Sequence, residues 1–399
     1  MTCFSIPSDR DKFMRMIKRL LRTPNLVSVL VLCNLFSNAY AKSQEQDFVD
    51  LSDESNQSQK VKIYDGWTKL MYASWKGKID AIEAILKTNP EINSKDPDGR
   101  TALMYAAWQG NGKAVNLLLK HGADINDTDD DGLNSLIWAA RNGQLDSSTE
   151  LLNHGASINS TDKYRRSALM WATRMGYIDV VGILLDRGAN VSIQDKASFT
   201  ALTSAAKFGY DKIVVKLLYS GANPNMADKY GRSALWFAAN IGSTPIVKLL
   251  LKNKRVKINA TDVRKQTPLM KAAQGGYHNI VKMLIAKSAN VNATSEKGNT
   301  ALMFAASNSH TLVSKTLLEA HASINKRNNV DYTALMLAVE YGHIDSVNML
   351  LNFGADTTQV NKLGNTALSL AKNNGHKKIS KVLNNYAKGE MGLLKKLLK

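Results

Sequence analysis

From residue 62 to residue 388, apolar and polar positions recur with a fixed period. A leucine returns at Leu70, Leu103, Leu136, Leu169, Leu202, Leu235, Leu269, Leu302, Leu335 and Leu368; every spacing is 33 except one of 34. Three residues after each leucine stands an alanine, from Ala73 to Ala371. Two residues before each stands Thr68, Thr101, Asn134, Ser167, Thr200, Ser233, Thr267, Thr300, Thr333 or Thr366. These side chains carry an oxygen that can accept from an orphan N–H, so the pattern predicts ten helix starts. Seven residues after the leucine comes a glycine, replaced once by Ser309, which predicts a left-handed end to a short helix. A second apolar run follows, such as Ala114 to Lys120, and it often closes on another glycine, such as Gly122 or Gly155. A polar connection with an Asn and an Asp, such as Asn126 to Asp129, leads to the next cap.

Each unit therefore reads as cap, short helix, glycine turn, longer helix and extended finger. Neither helix can bury its apolar face alone, so stacked neighbours must supply a continuous core. The unit resembles the ankyrin repeat. Thr267-Pro268-Leu269 matches the start of that family's signature, and Leu118–Asn126 and Gly298–Ala306 follow its pattern closely. Elsewhere the signature proline is mostly Ala, and its histidine becomes Met at Met71, Met104, Met170, Met270, Met303 and Met336. The resemblance implies an all-α ankyrin-repeat solenoid of about ten helix-turn-helix repeats with extended finger loops. It also implies a concave groove that binds another protein.

The first 41 residues follow a different pattern. Six basic groups between Arg10 and Arg22 precede an apolar stretch from Leu26 to Phe36, then Ala39-Tyr40-Ala41 and polar residues. This is the order of a secretory signal peptide, and eleven residues fall short of the roughly 20 that span a bilayer. The long basic segment leaves Met14 and Met16 as alternative starts. Uncleaved, the segment would act as an anchor with the remainder outside the cytoplasm. The expectation is thus a signal peptide over 1–41, a polar linker or cap over 42–61, the repeats over 62–388 and a basic amphipathic tail over 389–399. The expected location is outside the cytoplasm, in the periplasm, with secretion or membrane anchorage as alternatives.

Charge adds a preference for acidic partners. The chain carries +18, and without residues 1–41 it keeps 46 basic against 32 acidic groups, a balance of +14. Both cysteines, Cys3 and Cys33, lie in the leading segment, so the repeats hold no thiolate for a disulfide or zinc site. The seven histidines fall in repeat slots: His121 and His154 before a loop glycine, His310, His343 and His376 after the mid-repeat glycine position, His278 beside it, and His321 in a loop-glycine position. Asp127, Asp129 and Asp131 imitate the opening of a calcium loop, but its closing glutamate position is Trp138. No nucleotide-loop, nucleophile-elbow or zinc-helix motif is present. The expectation is a non-enzyme with no cofactor and no metal.

Binding specificity should lie at positions that the repeat leaves variable. Two, five and six residues after the fixed leucine share one face of the first helix. The first of these carries Tyr72, Tyr105, Trp138, Trp171 and Phe237; the second, Trp75, Trp108, Arg141, Arg174 and Lys207; the third includes Phe208. The position before the cap adds Trp67, Arg100 and Arg166. Trp, Tyr and Arg dominate interface hot spots, so these fourteen residues are the candidate partner-binding set. The aromatics two residues after the leucine have a competing reading, as packing between neighbouring first helices. The expected partner is a protein with an acidic or apolar surface, met by a monomer. A host protein reached by secretion, and anionic envelope components or nucleic acid met by the basic surface, are the alternatives; the last lacks a recognition motif and is disfavoured.

Overall fold

The computed structural model describes residues 66–387. The expected signal segment, the linker and the basic tail lie outside those residues, as do 62–65 and 388 of the expected repeats. The described part is twenty helices in ten pairs, with no strand among the described residues beyond two isolated bridges in the fingers. The first helices of the pairs are α1 (Lys69–Lys76), α3 (Ala102–Gln109), α5 (Ser135–Arg141), α7 (Ala168–Met175) and α9 (Ala201–Phe208). They continue as α11 (Ala234–Ile241), α13 (Pro268–Gln274), α15 (Ala301–Ser307), α17 (Ala334–Glu340) and α19 (Ala367–Asn373). The second helices run from α2 (Ile79–Leu86) and α4 (Gly112–Lys120) to α18 (Ile344–Asn352) and α20 (Lys377–Ala387). First helices pack on first helices and second helices on second helices, which gives two rows with the apolar core between them.

The caps form as the residue types predict. All ten cap residues stay extended, and each side chain accepts the backbone N–H three residues on, as Asn134 does from Ile137 at 2.9 Å. The mid-repeat turn is left-handed even without glycine: Ser309 takes φ +60° there. The fixed leucines from Leu70 to Leu335 and the alanines from Ala73 to Ala371 are almost completely buried. Alanine at that position leaves room for adjacent first helices to touch.

Three polar ladders tie the repeats to one another. In the finger, a backbone N–H of each turn donates to the preceding turn, as Lys163 does to Asp131 at 2.9 Å and Lys196 to Tyr164 at 3.0 Å. At the far end, an asparagine amide oxygen accepts a backbone N–H 31 residues on, as Asn126 does from Ser157 at 3.1 Å and Asn159 from Asn190 at 2.8 Å. Between them, in five repeats, the residue before the second helix (Asn111, Gln144, His310, His343 or His376) reaches back to a carbonyl at the end of the first helix of the preceding repeat. Gln144 Nε2 donates to the Trp108 carbonyl at 2.9 Å; His310, His343 and His376 meet Gln274, Ser307 and Glu340 at 3.1–3.2 Å. Those histidines thus complete helix C-termini, which otherwise leave carbonyls unsatisfied. His321 sits at φ +62°, the left-handed position where other repeats carry glycine.

Candidate functional site

The finger turn determines what the neighbouring first helix can expose. Asp129 is 7% exposed, and its Oδ1 accepts the backbone N–H groups of Asp131 (3.0 Å) and Leu133 (2.8 Å). Its Oδ2 accepts Trp138 Nε1 from the first helix at 3.0 Å. Asp162 repeats the arrangement with Trp171 Nε1 at 3.1 Å and Arg166 Nε at 2.7 Å. Asp96 accepts the Tyr105 hydroxyl at 2.5 Å. A buried carboxylate is tolerable only when both oxygens are supplied with donors, and these rings supply the second. The acids that imitate a calcium loop are therefore a finger: Asp129 is saturated by protein donors, and Asp127 and Asp131 pair with Lys95 and Lys163.

This geometry corrects part of the candidate set. Tyr72, Tyr105, Trp138, Trp171 and Phe237 are buried between first helices, with exposures of 7% or less. A face drawn on one isolated helix cannot show this, because it is the neighbouring repeat that covers them. Arg166 is committed to Asp162 and lies 4.0 Å over the Trp171 ring, so it braces the finger. Arg100 pairs with Asp98 at 2.9 Å.

The remaining candidates line the edge of the first-helix row. Trp67, Trp75, Trp108, Arg141, Arg174 and Phe208 are half-buried, and Lys207 is exposed. Their rings and cations form a near-continuous stack: Trp67 lies 5.8 Å from Trp75 and 4.1 Å from Tyr105, and Trp108 stacks on Trp138 at 4.7 Å. Arg141 then bridges Trp138 (5.2 Å) and Trp171 (4.8 Å). Further along, Arg174 lies over Phe208 at 5.7 Å, and Lys207 over Phe199 at 4.9 Å.

The cations here lack carboxylate partners. Among the described residues Arg141, Arg174 and Lys207 have no ion pair within 4.0 Å, unlike Arg166 and Arg232 on their buried aspartates. Desolvation first, and the nearby Arg166 second, push the Arg141 and Arg174 guanidinium pKa values down. Desolvation, then Arg174 and Arg232, lowers that of Lys207. Burial likewise lowers Lys271, which sits 5.2 Å from the Trp236 ring. Lys271 and Trp236 escaped the sequence reading; the signal was an aromatic and a cation where most repeats have Met and an aromatic. No group of three or more His, Cys, Asp or Glu side chains among the described residues is placed to hold a metal ion.

A family model of ankyrin repeats, built from three copies, matches residues 25–129, 126–195, 202–295 and 289–361. The chain belongs to the ankyrin-repeat family. Proteins built from these repeats are in general scaffolds for protein–protein contact, typically without catalysis. A comparison with curated proteins gives no match.

Proposed function

We propose that this chain is a non-catalytic scaffold that acts outside the cytoplasm and holds a partner protein on the edge of its first-helix row. One observation carries the reading: Trp75, Trp108, Arg141, Arg174 and Lys207 occupy the same position of five successive repeats, half-buried or exposed, while the fold's own needs are met by buried neighbours. Aromatic and arginine side chains so placed are the residue types that anchor interfaces. The extracytoplasmic part rests on the basic, apolar and Ala39-Tyr40-Ala41 succession of the leading segment. Periplasmic action fits that segment; secretion to reach a host protein is the variant to separate by fractionation.

The test is capture of a partner from an envelope extract of the native organism, comparing the wild-type chain with a Trp108→Ala/Arg141→Ala variant. Loss of a specific partner with a melting temperature within about 5 °C of wild type is the expected result. Equal capture by both proteins would remove this surface from the function.

A further inference from the structure

We infer that the surface around Arg141, Arg174 and Lys207, with the fingers of the fourth to seventh repeats, docks an extended acidic segment of a partner protein. The segment would carry carboxylates about 10 Å apart. This rests on the scaffold reading above and specifies the chemistry of what is held.

The first argument is local charge. The fingers and first helices of these repeats (residues 162–175, 195–208, 228–241 and 262–274) hold eleven lysines and arginines and four carboxylates. All four carboxylates, Asp162, Asp195, Asp228 and Asp262, accept backbone N–H groups of their own fingers. Two of them also pair with Arg166 and Arg232. The corresponding stretches of the last three repeats (295–308, 328–341 and 361–374) carry three cations and three acids. The positive field is thus confined to one section of the array. Two of its cations, Arg165 and Lys265, sit at φ +62° and +55°, where six other repeats place glycine. Left-handed backbone costs a non-glycine residue about 1 kcal/mol, so these fingers carry charge at a conformational cost.

Spacing comes next. Arg141, Arg174 and Lys207 hold the same position on α5, α7 and α9, and neighbouring packed helices lie about 8–10 Å apart. A polyproline II chain has three residues per turn and rises about 3.1 Å per residue, so carboxylates on every third residue share one face about 9 Å apart and meet successive cations. Arginine's planar fork suits carboxylate, and desolvated cations without partners gain most from one.

The ring faces argue for protein over single-stranded nucleic acid, which needs open aromatic faces on which bases stack. Trp171 is covered by Arg141 at 4.8 Å and Arg166 at 4.0 Å. Lys207 lies over both Phe199 and Phe208. Tyr164 is flanked by Lys163, Arg166 and Lys196, and Tyr230 by Lys229 and Arg232.

The test uses the full chain and a fluorescent peptide of about fifteen residues with Glu at every third position in a Gly/Ser background. Its anisotropy is followed from ~50 to ~300 mM salt. The expected result is salt-sensitive binding, weakened about tenfold by Arg174→Gln or Lys207→Gln and several-fold by clustering the same glutamates at one end. Circular dichroism melts confirm that both variants fold. Equal binding by the spaced and clustered peptides, or by wild type and both folded variants, overturns the inference. So does tighter binding of an oligothymidylate of matched length. Suppose instead that partner capture is lost in Trp108→Ala/Arg141→Ala but is indifferent to salt and to Arg174→Gln. The scaffold reading then survives and the acidic partner does not.

Discussion

Two fingers, residues 129–133 and 328–332, share one backbone hydrogen-bond pattern and open on side chains, Asp129 and Asn328, that differ in a single terminal group. Asp129 and Asn328 each use Oδ1 to accept the N–H groups two and four residues on, at 2.8–3.1 Å. The second atom of the side chain parts them. The carboxylate Oδ2 of Asp129 turns to the Trp138 indole, whereas Nδ2 of Asn328 donates to Asn299 Oδ1 in the preceding finger at 2.8 Å. Where the finger residue is Asp96, Asp129 or Asp162, the first helix brings a donor; Asp228 takes Arg232 of its own finger instead, and its helix position is Phe237; where the finger residue is Asn328, that position is apolar, Leu337. The aromatic stripe of the early repeats is therefore in part an answer to buried carboxylates.

The largest break in this comparison is to remove the acceptor. Asp129→Ala strands two backbone N–H groups and an indole N–H, and should cost about 3 kcal/mol by chemical denaturation. Asn328→Ala strands the corresponding two backbone groups and frees the half-buried Asn299 Oδ1 but leaves no indole without an acceptor, and should cost about 1 kcal/mol less. Equal losses would mean that the indole bond to Asp129 contributes nothing.

That distinction marks the limit of what the sequence makes legible. Period, caps, left-handed turns and the histidine slots are local matters, set within one unit by φ and by orphan backbone groups. Even Ser309 and His321 announce their conformation by standing in glycine's place. Burial of Tyr105 or Trp138 is a lateral matter, decided by the next repeat and by a finger carboxylate nine residues upstream. The spacing of those two residues was present in the sequence; the pairing of acceptor with donor was not apparent until both lay in one buried space. Trp108 and Arg141 differ from them only by their place at the edge of the row.

Exchanging the second atom should have a smaller effect. Asp129→Asn sets Nδ2–H against the Trp138 N–H, and Asn328→Asp buries a carboxylate oxygen against Asn299 Oδ1 with no donor on Leu337. Each should lower stability by about 2 kcal/mol. Leu337→Trp added to Asn328→Asp should recover part of that loss. Failure of the added indole to help would show that packing, not donor supply, keeps the late repeats apolar.

Tyr105 offers a version that responds to pH. Its hydroxyl donates to Asp96, and burial, with that bond next, raises its pKa well above the ordinary tyrosine value. A raised folded pKa contributes stability that is complete below the unfolded value near 10 and is lost as pH rises beyond it. Tyr105→Phe should therefore melt lower at pH 7, by about 1.5 kcal/mol, and the gap should close above pH ~10. A gap that stays constant to pH ~11 would show that the hydroxyl ionises as easily folded as unfolded.

The smallest effect on stability should come from the residues that matter most at the surface. Arg141 and Arg174 are desolvated, face the like charge of Arg166 and have no carboxylate partner among the described residues. Against this stand the attraction of Asp129 and Asp131 for Arg141 and of Asp195 for Arg174, and the cation–ring contacts of Arg141 with Trp138 and Trp171 and of Arg174 with Phe208. Such contacts contribute about 0.5–1 kcal/mol where partly exposed. The opposing effects nearly cancel, so Arg141→Gln and Arg174→Gln should each leave stability within about 0.5 kcal/mol of wild type. Arg166→Gln, by contrast, strips a donor from buried Asp162 and should cost about 1.5–3 kcal/mol. Thermal melts of the three variants side by side decide the matter. If Arg141→Gln falls as far as Arg166→Gln, the edge cations belong to the core and have no claim to a partner.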